Sequence, residues 1–236
     1  MSIAEFRDGL VRVNKSAFDP RTGLRAALLF GHGDNFSRGN DVDAFSALGK
    51  SRKSFTLSNR QIDPLGRAQK LSKPLVVVVH GDTWNVGHEL HLVADIRVAS
   101  ADVRYGNDEN AHGRVPGVAP VRLPREIGWA NAMRYMLTGD HWDAQTAYRM
   151  GIVQEVAPNK DAALKVGIDI ANRIAACGPL GIKATLQAAH LAINDSTDAA
   201  AFANLEAAYV SLFGSEDFAE GRKAEAENRP PVFHGR

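Results

Sequence analysis

The feature that most constrains the fold is a short run of apolar residues with no polar alternation. Pro74 is followed by Leu75–Val79, which reads LVVVV. An unbroken run of this kind is typical of a strand that is buried on both faces. Other strand-like segments are Leu24–Phe30, Asp95–Ser100, Val103–Gly106 and Gly151–Val156. Because segments with helical spacing separate these strands, the pattern predicts an α/β fold with a sheet covered on both faces.

Apolar spacing also predicts where the helices lie. In the first half of the chain we expect helices over residues 3–14, 55–71 and 86–94. From about residue 129 onward the chain is mostly helical, with helices expected over 129–138, 143–150, 160–176, 180–194, 198–213 and 215–228. These C-terminal helices have broad apolar faces. They are therefore expected to cover the core or to pack against a neighbouring subunit.

Composition excludes several classes of protein. The chain has 236 residues, enough for one large domain or for a domain with an appendage, and its formal charge of +1 gives no bias toward nucleic acid or an anionic membrane. A single cysteine, Cys177, excludes an internal disulfide. The longest apolar run is too short to span a membrane, and the first residues lack a signal pattern. We therefore expect a cytoplasmic protein with no membrane or nucleic-acid partner.

Two glutamates follow consecutive strand-like segments. Glu89 lies in VGHELHLVADI after the valine-rich run, and Glu109 lies in VRYGNDE after the next one. Two strand ends can direct a pair of carboxyls into one pocket, where one gives a proton while the other takes one. This chemistry suits the addition of water to an activated double bond. The structural alternatives are a Glu89 buried against Arg97 or Arg122, and a Glu109 exposed in a loop.

An ordered set of phrases resembles the enoyl-CoA hydratase/isomerase (crotonase) superfamily. The phrases are FSRGNDV, KPLVVVVHG, HELHLVADIRVAS, YGNDE, GRVPG, RLPREIGWANAMRYMLTG and AYRMGIVQEVAP. They lie within Leu29–Val42, Lys73–Ser100 and Tyr105–Pro158. No single phrase is decisive, but their order and spacing are specific and cover more than half of the chain.

This resemblance implies a superhelix of repeated β-β-α turns and a CoA thioester substrate. Residues 1–158 would form the core with the thioester site, and residues 159–236 a helical region that builds a homotrimer or a dimer of trimers. The family's opening β-hairpin has no counterpart here, so we expect an unpaired strand edge. No cofactor is implied, because coenzyme A is part of the substrate.

The resemblance also assigns roles to individual residues. Glu89 and Glu109 would be catalytic, and the backbone N–H groups of Asn40 and Val86 would bind the thioester oxygen. Two such donors in a dry pocket stabilise an enolate by about 3 kcal/mol each. The predicted substrate-binding residues are Arg38, Asp41, Val42, Gly87, Pro116 and Gly117.

The sequence departs from the family pattern at three places around this site. Asn85-Val86-Gly87 replaces a run of glycines, which narrows the pocket. Asp108 replaces a proline and places two acids side by side, and Ala119-Pro120 replaces a pair of glycines.

The histidines around Glu89 suggest a metal site only weakly. His88, Glu89 and His91 have the spacing HELH rather than HExxH, so we predict no metal and expect polar contacts beside the pocket.

The favoured function is hydration of a trans-2-enoyl-CoA to a 3-hydroxyacyl-CoA. Two alternatives stay open: isomerisation or hydrolysis on the same fold, and a non-catalytic assembly or RNA-binding protein.

Overall fold

The computed structural model describes residues 23–41, 65–66, 71–194, 206–208 and 210–236. The predicted helix over residues 3–14, most of the one over 55–71 and part of the one over 198–213 lie outside these ranges.

Two small sheets form the strand framework of the described residues. The strands are β1 (Ala27–Phe30), β2 (Leu75–Val79), β3 (Asp82–Trp84), β4 (Ile96–Ser100), β5 (Arg104–Gly106), β6 (Trp142–Asp143) and β7 (Glu155–Ala157). One sheet has the order β1-β2-β4-β7, in which β4 runs parallel to both β2 and β7. The other has the order β3-β5-β6, with β3 and β5 parallel and β6 antiparallel.

The core forms where the valine-rich strand predicts it. All five residues of β2 are buried, and Val76 to Val79 pair in register with Ile96 to Ala99 of β4. The continuous apolar pattern thus corresponds to a central strand with neighbours on both sides, as parallel sheets require. The predicted α/β class is confirmed.

In the described part of the chain, seven α-helices and one 3-10 helix have defined bounds, and residues 206–208 and 210–213 are helical as well. The α-helices are α1 (Val86–His91), α2 (Ala119–Ile127), α3 (Trp129–Thr138), α4 (Ala144–Met150), α5 (Lys160–Ala175), α6 (Pro179–Asn194) and α7 (Glu216–Ala226). The 3-10 helix spans Glu109–His112.

Several predicted elements have different bounds in the structure. The helix predicted over 86–94 ends at His91, because residues 92–95 turn into β4. The last strand is Glu155–Ala157 rather than Gly151–Val156. Helix α2 was not predicted, since Pro120 and Pro124 lie inside it and proline usually argues against a helix.

The chain divides into two compact units. The first includes residues 75–169, which hold both glutamates, and the second includes residues 170–236. None of the helices that the structure describes is long and apolar enough to cross a membrane.

Candidate active site

Helix α1 places the Glu89 carboxylate against the N-terminus of helix α2. The Glu89 side chain is only 3% exposed. Its Oε1 accepts hydrogen bonds from the backbone N–H groups of Val118 (2.6 Å) and Ala119 (3.1 Å). Val118 is the N-cap residue of α2 and Ala119 is its first residue, at a helix end where backbone N–H groups lack partners within the helix. The carboxylate is thus held by the main chain of a second helix.

Gly117 lies directly beside the other oxygen of Glu89. A Cβ atom built on Gly117 would lie 2.7 Å from Oε2, so a side chain at this position would displace the carboxylate. Pro116 is buried, whereas Gly117 is exposed. The structure therefore brings one of the predicted substrate-binding residues, Gly117, to Glu89.

The structural alternative for Glu89 is an ion pair with a nearby arginine. Arg97 does not form this ion pair. Arg97 donates to Glu126 instead, with Nη2 at 2.8 Å from Oε1. It also donates to the backbone carbonyls of His91, Leu92 and Ile152. Arg122, the other arginine in question, donates to the carbonyl of Gly66.

Glu109 begins the 3-10 helix and is 9% exposed, so it is not the exposed loop acid of the alternative interpretation. Burial raises the pKa of the Glu109 carboxyl, and the negative charges of Glu89 and Asp108 raise it further. A hydrogen bond from Asn107 acts in the opposite direction. The segments that carry the two carboxyls are joined by hydrogen bonds, because Asn85 accepts from the backbone of Asp108 and His88 bonds to Asn107. A raised pKa suits a group that must donate a proton.

Asp108, which precedes Glu109, is directed toward two histidines. Its Oδ2 lies 3.6 Å from Nε2 of both His112 and His141. Its backbone N–H donates to Oδ1 of Asn85 at 3.1 Å. The two adjacent acids therefore have different neighbours.

Asn85 controls the entry into helix α1 through an unusual backbone conformation. Its φ of 52° and ψ of −120° lie in a region that residues other than glycine rarely occupy. The ψ angle of Asn85 sets the orientation of the following peptide, which carries the Val86 N–H. The Asn85 side chain does not cap the helix, because it accepts from Asp108 instead. The amides of Gly87 and His88, which an N-cap side chain normally serves, therefore receive no capping bond from Asn85.

The loop that carries Asn40 packs against the same turn. Ser37 pairs with β3, donating to Asp82 O at 3.0 Å and accepting from Trp84 N at 2.9 Å. Two residues later, a Cβ on Gly39 would lie 3.2 Å from Cβ of Asn85. Asn40 and Val86 therefore each follow a residue at this contact.

The remaining predicted substrate-binding residues have varied positions. Gly87 is buried against Ser37, where a Cβ would lie 2.6 Å from the serine Cβ. Arg38 is 67% exposed and donates from Nε to Asp82 at 2.8 Å. Asp41 is exposed, and Val42 lies outside the described residues.

His88 and His91 are buried in an aromatic cluster with Tyr105 and Trp142. The rings of His88 and His91 stack with centroids 5.8 Å apart, and His88 meets Trp142 edge to face. Burial lowers the pKa of His88 to about 4, and burial also lowers the pKa of His91. Among the described residues, no group of three or more histidine, cysteine, aspartate or glutamate side chains is arranged to hold a metal ion.

Comparisons with known proteins identify the family of the chain. The family model for enoyl-CoA hydratase/isomerase matches residues 4–236. The chain belongs to the enoyl-CoA hydratase/isomerase family. An enoyl-CoA hydratase of Mycobacterium tuberculosis is 33% identical over 216 residues, which cover 90% of this chain and 80% of the relative. A 2,3-dehydroadipyl-CoA hydratase of Escherichia coli is 31% identical, with 91% and 83% covered.

Solved structures of this family have the same fold. A probable enoyl-CoA hydratase/isomerase from Mycobacterium abscessus superimposes with a TM-score of 0.85 at 38% identity, covering 96% of this chain and 89% of the other. An enoyl-CoA hydratase from Mycobacterium marinum gives a TM-score of 0.84 at 33% identity, covering 98% and 87%. The predicted family and its crotonase-type fold are confirmed. The predicted division at residue 158 stays a prediction, as does the role of the C-terminal helices in oligomerisation.

Several residues of the site were not predicted from the sequence. The amide donors Val118 and Ala119 are backbone groups, which leave no mark on the sequence beyond the turn GRVPG before them. Asn107 gave no signal either, although it lies two residues before Glu109 and donates to it. His88 was expected only to make polar contacts near the pocket.

Proposed function

We propose that this chain hydrates a trans-2-enoyl-CoA to a 3-hydroxyacyl-CoA, using Glu89 and Glu109 as its acid/base pair. The relatives named above are hydratases of CoA thioesters, which supports an enzyme of the hydro-lyase type acting on an acyl-CoA. The observation that carries the residue assignment is that two buried carboxyls are supplied by different elements, whose neighbouring residues hydrogen-bond to each other.

Glu89 is the group that activates water in this proposal. Its Oε1 is fixed by two main-chain donors, whereas Oε2 faces the exposed Gly117. A water molecule next to Oε2 can pass a proton to it as the water oxygen attacks C3 of the substrate. A base whose geometry is fixed before the reaction lowers the cost of reaching the transition state.

Glu109 supplies the other proton. Burial and the charge of Glu89 raise its pKa, so it retains a proton to a higher pH than an ordinary glutamate. It donates this proton to C2 of the substrate, which completes the addition of H and OH across the double bond. At this point Glu89 holds the proton taken from water, and Glu109 has lost its own proton. Transfer of a proton from Glu89 to Glu109, directly or through solvent, restores both groups.

The N–H groups of Asn40 and Val86 bind the thioester oxygen, where negative charge accumulates as the C3–O bond forms. The contact between Gly39 and Asn85 supports this pairing. The strained Asn85 backbone supports it further, since that residue orients the Val86 amide. No redox group or metal takes part in this scheme, because the thioester and the two amides stabilise the enolate.

Three finer assignments accompany this proposal. We predict a homotrimer or dimer of trimers, a cytoplasmic location and a role in fatty acid metabolism. Sedimentation of the purified protein would measure the first of these.

The direct test is incubation with crotonyl-CoA while the enoyl absorbance is followed. We expect hydration by the native protein and a loss of about 10²- to 10⁴-fold in kcat for Glu89→Gln and for Glu109→Gln. Glu155→Gln is a matched control, because Glu155 is an exposed acid of β7. If either site variant kept the native rate, the two-carboxyl mechanism would be wrong.

The same samples separate the alternative functions. An isomerase can work with a single carboxyl, so it would tolerate one of the two Gln variants. A thioester hydrolase would release free CoA, which a thiol reagent detects. A salt-dependent shift in the gel mobility of RNA on addition of the protein would instead support the non-catalytic alternative.

A further inference from the structure

Two hydrogen bonds connect His88 to Glu109 through Asn107. The ring Nδ1 of His88 lies 2.6 Å from Oδ1 of Asn107, and Nδ2 of Asn107 lies 3.4 Å from Oε2 of Glu109. All three residues are buried, and His88 and Asn107 have no exposed surface. Buried polar groups linked in this way fix one another's orientation.

The direction of these hydrogen bonds follows from the carboxylate. Oε2 of Glu109 accepts a hydrogen bond whether the carboxyl is ionised or carries its proton on Oε1, so the Asn107 amide turns its Nδ2 donors toward Oε2. The amide oxygen then faces His88, whose Nδ1 must carry the proton. The reverse orientation would set two acceptor oxygens against each other.

The surroundings of the His88 ring support the same tautomer. Burial lowers the pKa of His88 to about 4, so the ring is neutral near pH 7 and has a single N–H. The charged groups that act on it are Arg97 and Glu126, with opposite effects. Nε2 of His88 has no hydrogen-bond partner in the described part of the chain. A proton on Nε2 would be a buried donor without a partner, which costs more than an unused lone pair.

We propose that His88 and Asn107 are positioning residues that hold Oε2 of Glu109 and present its other oxygen to the α-carbon of the substrate. This inference rests on the proposed function, because it gives Glu109 the proton at that carbon. His88 fixes the amide of Asn107, and Asn107 fixes the carboxyl. Neither residue touches the reacting atoms.

The proposal has a consequence for the charge on Glu109. Asn107 donates to the ionised carboxylate and therefore favours that form. Burial and the negative charges of Glu89 and Asp108 act against it. The hydrogen bond from Asn107 thus offsets part of the effect that burial and these charges have on the pKa of Glu109.

His91 provides an internal comparison for His88. It is equally buried, it stacks on His88, and its Nε2 lies 3.5 Å from the Tyr105 hydroxyl. No hydrogen bond between His91 and Asn107 is present among the described residues. A purely structural role would make the two histidines equivalent, whereas the proposal makes only His88 important for Glu109.

The decisive experiment is a carboxyl ¹³C NMR titration of Glu109 in the full-length protein, with the signal assigned by its loss in Glu109→Gln. Asn107→Leu and His88→Phe should raise the pKa of Glu109 by about half to one unit. His91→Phe should leave it unchanged. His88→Asn, which places an amide N–H near the position of Nδ1, should restore the native value. Equal shifts for His88→Phe and His91→Phe, or no shift in Asn107→Leu, would overturn the proposal.

An activity measurement separates this inference from the proposed function. The exchange of α-hydrogen for deuterium in butyryl-CoA isolates the proton transfer assigned to Glu109. We expect Asn107→Leu and His88→Phe to slow this exchange by about tenfold. Absence of both exchange and hydration in the native protein would overturn the proposed function. The NMR titration would still show whether His88 and Asn107 position the carboxyl of Glu109.

Discussion

The two carboxyls of the site are held in different ways. Glu89 is fixed by backbone N–H groups at the start of helix α2, which any sequence that forms this turn would supply. Glu109 is held by the side chain of Asn107, which depends in turn on His88. The first arrangement is a property of the fold. The second is a property of particular residues, and substitutions can therefore tune it without altering the backbone.

The most severe test of the backbone-held carboxyl is Gly117→Val. A side chain there would displace Oε2 of Glu89, since even a Cβ lies 2.7 Å from it. We expect kcat/KM for crotonyl-CoA to fall by about 10²-fold or more, because ångström-scale misplacement of a catalytic group costs that much. The exchange of α-hydrogen should fall less, because it depends on Glu109. Equal losses in both reactions would show that the two carboxyls are not separately controlled.

The matched control for this variant is Gly181→Ala. Gly181 lies in helix α6, and a Cβ built on it has no neighbour within 4 Å. Activity should stay at the native level.

The buried histidine beside Asn107, His88, should make the stability of the protein sensitive to acid. His88 has a folded-state pKa of about 4, below its ordinary value of 6.5. The unfolded chain therefore binds more protons between these values, and stability falls as the pH decreases from about 6.5 to 4. The loss for His88 is about 3 kcal/mol, and His91 adds to it in the same direction. Urea denaturation at a series of pH values measures this slope, which His88→Phe should reduce. A slope unchanged in that variant would contradict the assignment.

The smallest effect is expected at Asn85. This residue begins the helix that carries Glu89, and its side chain accepts a hydrogen bond from Asp108, the neighbour of Glu109. Asn85→Ala loses the hydrogen bond to Asp108 and retains a strained backbone, so we expect a decrease of about 2 kcal/mol in the free energy of unfolding. Asn85→Gly loses the same bond but accommodates the positive φ, and should cost about 1 kcal/mol less. Chemical denaturation of the two variants measures the difference. Equal stability would mean that the backbone at Asn85 carries no strain.

The sequence predicted those parts of the molecule that periodicity and ordered motifs encode. The continuous valine run identified β2, and the two glutamates were identified as a pair because each follows a strand-like segment. Helix α2 was missed because its prolines resemble helix breakers, although Pro120 occupies the first turn, where a missing N–H costs little.

The remaining parts of the site depend on contacts between distant residues. His88 and Asn107 are 19 positions apart and meet only when α1 packs beside β5. The donors to Glu89 are backbone amides 29 and 30 positions away, so their residue types carry no signal. Such contacts follow from the three-dimensional packing and not from any local pattern.

The hydrogen bonds of Arg97 have a consequence for the order in which the chain folds. This side chain joins the carbonyls at the end of helix α1 to Glu126 and to the carbonyl of Ile152, which lies 55 positions further along. During synthesis, the guanidinium cannot find all of these acceptors until Ile152 has left the ribosome. The segment that carries Glu89 therefore gains its full set of contacts only after about two-thirds of the protein has been translated, and a nascent chain halted before that point would lack the bond to Ile152.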